Sequence, residues 1–111
     1  MQIPLTDTEF LILDYLADGA LQLGWLVREL HHGKHAVETA VLINGLAKLV
    51  ERQLVHYCQV PGGPNYTSPS PEMIHAQIIS VLNNSDQLWW LELTENGQNA
   101  WEAWQQTHFG S

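Results

Sequence analysis

Three histidines fall within five residues in HHGKH, positions 31–35, and His56, Cys58, His75 and His108 add nitrogen and sulfur ligands elsewhere. A metal site needs several such groups converging at about 2.0–2.3 Å, and no pair here has a recognised zinc spacing such as Cys-x-x-Cys. The cluster therefore reads as a solvated, mildly pH-sensitive turn, and no metal is assigned. Cys58 falls in a strand-like stretch, where a small buried hydrophobe is the default and a reactive thiol would need an electropositive neighbourhood. The acid pairs Asp14 with Asp18 and Glu92 with Glu95 have local explanations as helix surface or helix N-terminus. Gly62-Gly63 is a turn, because no helix with a Lys follows it to make a phosphate loop. Neither an enzyme nor a cofactor is expected.

Charge is the next constraint. The 111-residue chain carries a formal charge of −8, with 4 Lys and Arg against 12 Asp and Glu. All the cations, Arg28, Lys34, Lys48 and Arg52, precede residue 53, and no Lys or Arg follows. Phosphate contacts are mostly made by Lys and Arg, so this asymmetry limits any nucleic-acid surface to the first half. The length suits one domain, 1–111, and 45% hydrophobic against 14% charged residues is a globular balance. A lone Cys, an N-terminus without a basic stretch and apolar run, and the lack of a membrane-length apolar segment predict a soluble, reducing, cytoplasmic setting with no membrane.

Those residues must be positioned by a helical scaffold. Thr6 and Glu9 form a capping box with Leu5 and Phe10 as a staple, so a helix starts at Asp7 and ends near Asp18-Gly19. A second helix fits GWLVRELHHG, with Trp25, Leu26 and Leu30 as its apolar stripe and Arg28 and Glu29 facing out. A third runs from about His35 to Gln53, with Leu42, Leu46, Leu49 and Val50 toward a core. Leu54–Val60 reads as a strand ended by Pro61-Gly62-Gly63-Pro64. NYTSPSPE reads as a loop. Ser70-Pro71-Glu72 then starts a helix carrying Ile74, Ile78, Val81 and Leu82, stopped by Asn83–Asp86. Gln87–Leu93 returns as a strand, with Trp89, Leu91 and Leu93 on one face and Leu88, Trp90 and Glu92 on the other. Thr94 caps a last helix, ENGQNAWEAWQQT.

LAKLVERQLV (46–55) resembles the end of the third helix and the start of the wing in MarR-type winged-helix regulators, where Leu residues lead into Gly-Leu-Val. LELTENGQNAWEAW (91–104) is similar to their second wing strand entering the final helix through Leu-Thr-x-x-Gly, and LTDTEFLILDYLADG resembles their first helix. Two departures stand out. Gln53 replaces the usual Gly, and a helix at about 71–83 interrupts the wing region 54–93. The resemblance implies a mostly α fold with a small β-hairpin, a winged helix-turn-helix with an extra helix between the wing strands.

In this family the third helix enters the major groove of double-stranded DNA. Carried over, the DNA-contacting set is Arg28, Lys34, His35, Thr39, Asn44, Lys48 and Arg52, with Glu38, Val41 and Gly45 on the same face. Asn44 suits adenine, whereas Val41 offers only a methyl contact. Lys48 and Arg52 also have a role without any ligand, stabilising a helix C-terminus. Two function classes stay open: a DNA-binding transcriptional regulator, and an acidic winged-helix module for protein contact or dimerisation that binds no DNA. Five Trp are many for one small core. A homodimer or protein interface is therefore expected to use Ile74, Ile78, Leu82, Trp90, Trp101 and Trp104.

Overall fold

In the computed structural model, which describes residues 5–58, 66–67, 69–83 and 89–108, helices dominate and a small antiparallel sheet closes one side of the core. The expected turn at 61–64, the strand ends at 59–60 and 87–88, the stop at 84–86 and the His108 side chain lie outside the described residues.

Helix α1 (Asp7–Leu16) begins as its capping residues require, with Thr6 Oγ1 accepting from the Glu9 N–H at 3.1 Å. It buries Ile12, Leu13 and Leu16. A two-residue strand, β1 (Leu21–Gln22), leads into α2 (Leu23–His32), which buries Leu23, Leu26, Val27 and Leu30. This corrects the expected stripe of α2: Trp25 lies off it and is 48% exposed. Helix α3 (Thr39–Glu51) starts later than His35, because Ala36 takes a left-handed φ of 47° and the Val37 N–H is tied to the Leu30 carbonyl at 2.8 Å. It buries Leu42, Gly45, Leu46, Leu49 and Val50. After Gln53, at φ 61°, come β2 (Val55–Cys58) and β3 (Tyr66–Thr67). Helix α4 (Pro71–Leu82) is capped by Ser70, whose Oγ accepts from the Met73 N–H at 3.2 Å. Strand β4 (Trp90–Leu93) precedes α5 (Glu95–His108).

The strand order is β1-β4-β2-β3, with every pair antiparallel. The two expected strands are neighbours, pairing Val55 with Leu93 and Tyr57 with Leu91. Both flanking strands are additions to the expected hairpin; β1 and β3 are two residues long, too short to show alternation.

One core takes side chains from α1 to α4 and from the inner face of the sheet. Ile74 and Ile78 are 1% and 0% exposed, so these expected interface residues belong to the chain's own core, facing α2 and α3. Leu82 packs against the same core. The other large rings also find partners at home. The Trp101 indole N–H donates to Asp14 Oδ1 at 3.1 Å, and Trp104 stacks on Phe10 with ring centroids 3.7 Å apart. Trp90 is half-buried on the outer face of the sheet, in register with Cys58. The apolar excess that pointed to a dimer is thus largely absorbed within one chain.

Candidate interaction surface

Helix α3 is held on one side by α1 and on another by α4, which leaves Val41, Asn44, Lys48 and Glu51 in solvent. These positions recur at three- and four-residue spacing, so they form one face. Gly45 sets how closely α1 approaches: a Cβ there would lie 3.3 Å from Thr8 Cγ2 and 3.6 Å from Ile12 Cδ1. The close approach creates a groove lined by Thr6–Glu9 on one wall and by Val41, Asn44, Gly45 and Lys48 on the other. Val41 is 43% exposed at its rim.

The sequence-derived cations divide along this surface. Asn44 and Lys48 share the groove. Arg52 lies one turn beyond Lys48 but points its Nη1 at Glu9 Oε2, 3.3 Å away. Glu9 is 3% exposed, so the guanidinium offsets a buried carboxylate. Lys34 and His35 are exposed in the turn before α3, separated from Lys48 by most of a helix that rises about 1.5 Å per residue. Thr39, the first residue of α3, is half-buried. Arg28 is half-buried on α2 with its guanidinium near Gly24, where a Cβ would stand 3.5 Å from Nη1. The sequence pointed to Arg52 as a phosphate ligand; its pairing with a residue 43 positions away carries no local signal.

Elsewhere the candidate chemistry resolves into local contacts. Among the described residues no group of three His, Cys, Asp or Glu side chains is placed to hold a metal. His31 Nδ1 is hydrogen-bonded to the Val37 carbonyl at 2.9 Å, and the His31 and His32 rings meet at 4.7 Å. His56 Nε2 lies 3.2 Å from Glu92 Oε2 across β2 and β4. Cys58 is buried, and burial followed by the nearby Glu92 charge pushes its thiol pKa up, away from thiolate reactivity. No helix among the described residues is long and apolar enough to cross a membrane.

A second exposed feature was not expected from the sequence. Tyr15 on α1 stands between two rings: Trp25 at 6.0 Å with planes 68° apart, and His35 at 6.4 Å with planes 87° apart. The late start of α3 is what leaves His35 in the turn beside α1. No protein-family model, curated protein or solved structure matches the chain.

Proposed function

We propose that the chain is an acidic winged-helix module that engages a protein partner rather than reading duplex DNA. The fold part of this reading is supported by element order. The strand β1 falls between α1 and α2 and pairs with β4, while β2 follows α3 and pairs with β4 from the other side. It is supported further by Gln53, whose φ of 61° is the left-handed backbone that the family's usual Gly favours. Gly97, the Gly of Leu-Thr-x-x-Gly, passes so close to the Leu54 carbonyl that a Cβ there would run into it.

One observation carries the functional part. On the α3 face that would approach DNA, Arg52 is ion-paired with Glu9 and Lys48 shares its groove with Asp7. Phosphate contacts supply much of DNA affinity, and the segment where a wing would lie holds no Lys or Arg. The acidic chain as a whole repels a polyanion. A DNA-reading alternative draws on the exposure of Asn44 and Lys48 one turn apart in the same groove. Fluorescence anisotropy of the full chain against a labelled, randomised 30-base-pair duplex at about 50 mM salt separates the two. Non-specific DNA binding ordinarily lies at about 10⁻⁴ to 10⁻⁶ M. No saturable binding below about 100 µM is expected. Binding below about 10 µM that weakens steeply with salt and is lost in Lys48→Ala overturns the protein-partner reading.

A further inference from the structure

The ring strip of Trp25, Tyr15 and His35 lies apart from the α3 groove and has its own electrostatics. Trp25 is 48% exposed although every other large ring described on the helices is at least half-buried. Aromatic faces carry negative quadrupole density, and the edge-to-face pairing of Tyr15 with both neighbours keeps the three rings a connected surface. One carboxylate stands at its edge: Glu29 Oε1 lies beside Gly33, 3.5 Å from where a Cβ there would be, two residues before His35. Its charge, after burial, raises the Tyr15 phenol pKa. Asp14 precedes Tyr15 on α1 but is engaged by the Trp101 indole N–H. The chain's own nearby cations are Arg28, which lies along α2 by Gly24, and Lys34, which is exposed beside His35 at the far end of the strip from Trp25.

We propose that this strip docks an arginine- or lysine-bearing segment of a protein partner, its cation lying against Trp25 and Tyr15 within reach of Glu29. Ring faces and carboxylates attract the same ligand, a desolvated cation on a flexible stem. The −8 charge of the chain draws a basic segment in from a distance. The same charges disfavour nucleic acid as the occupant. A second copy of this chain is a poor occupant, since it brings 12 acids with its 4 cations. The inference rests on the protein-partner reading above and names the chemistry of that partner.

The test uses the full 15N-labelled chain and two acetylated nine-residue Gly/Ser peptides, one with two arginines and one with two citrullines in their place. Citrulline keeps the shape of arginine and removes its charge. The arginine peptide is expected to shift the Trp25 indole and the amides of Tyr15 and Glu29 saturably, and the citrulline peptide to leave them in place. An exposed cation–ring contact predicts that Trp25→Ala weakens binding by roughly two- to fivefold. Glu29→Gln should weaken it similarly, while Glu102→Gln, which removes the same charge from the exposed side of α5, should not. Amide dispersion checks that Trp25→Ala folds; should it not, Trp25→Phe keeps a ring and is expected to bind more weakly. An unmoved Trp25 at millimolar arginine peptide overturns the proposal. So does equal binding of the citrulline peptide, or equal loss in Glu29→Gln and Glu102→Gln, which would reduce the effect to bulk charge. DNA binding in the anisotropy assay defeats the protein-partner reading by a separate route, so the two failures are distinguishable.

Discussion

Replacing Arg52 by Gln asks whether this cation serves the fold or faces a ligand. Glu9 is 3% exposed, and its carboxylate takes a 3.3 Å charged contact from Arg52. A hydrogen bond to a charged group contributes about 1.5–3 kcal/mol, and removing one partner leaves the buried one desolvated. The Arg52 side chain is 34% exposed, so water screens the pair and the expected cost falls to about 1–2 kcal/mol. For a chain of this size that lowers Tm by about 4–8 °C. Lys48 is exposed in the groove, and Lys48→Gln should stay within about 0.5 kcal/mol of wild type. Circular dichroism melts of both variants, and a double-mutant cycle with Glu9→Gln, measure the difference. The double variant Glu9→Gln/Arg52→Gln should cost less than its two singles together, because neither leaves an unpaired charge when both are gone. Equal melting of the Arg52 and Lys48 variants, or zero coupling with Glu9, would refute the assignment of Arg52 to the interior pair and return it to the ligand-facing set.

Changing Ile74 and Ile78 to Ser should lower Tm sharply, since truncating a buried Ile costs about 2–5 kcal/mol, although neighbours on one helix face do not add simply. Sedimentation beside the melt checks this: a variant that keeps its Tm but changes its mass would contradict the burial of these residues. Stability should also fall as pH rises past about 9, first through the buried Cys58 thiol and then through Tyr57. Burial raises the Tyr57 phenol far above its ordinary value, so the unfolded chain releases that proton first, binds fewer protons than the folded state, and gains stability at the folded state's expense. The Tyr57 hydroxyl makes no hydrogen bond among the described residues. Tyr57→Phe should therefore hold or raise stability at neutral pH and flatten the alkaline loss, leaving a smaller slope from Cys58 and Tyr15, whose pKa values are also raised; urea midpoints between pH 7 and 11 read both, and an unaltered alkaline slope would contradict the burial argument.

Most helix and strand placement was readable because its causes are local. Thr6, Ser70 and Thr94 each accept a bond from an N–H three residues on, so a short window of sequence contains the whole cap. The pairing of β2 with β4 was expected only through the winged-helix resemblance, because alternation marks the two faces of a strand and not its partner. The stripe of α2 was misplaced for a reason of the same kind: large rings read as core, yet at 100° per residue Leu23 and Val27 complete the buried arc and Trp25 falls outside it. The site was harder. Asn44 and Lys48 are one turn apart on a helix that periodicity had already oriented, and their shared exposure needed nothing more.

What depended on the sequence alone was the set of elements, their caps and the supply of charge: with no Lys or Arg after residue 52, the segments that follow α3 supply no such cation in any arrangement of the backbone. What the tertiary structure decided was which groups those elements bring face to face. It set Arg52 against Glu9, 43 residues away, and turned a candidate phosphate contact into an internal ion pair. It placed Ile74 and Ile78 over α2 and α3 instead of on a partner, and stood Tyr15 between Trp25 and His35. Caps and periodicity act over a few residues and are written in order along the chain. Pairings across the core depend on how helices pack, and that geometry is set by many contacts at once, none of them adjacent in sequence.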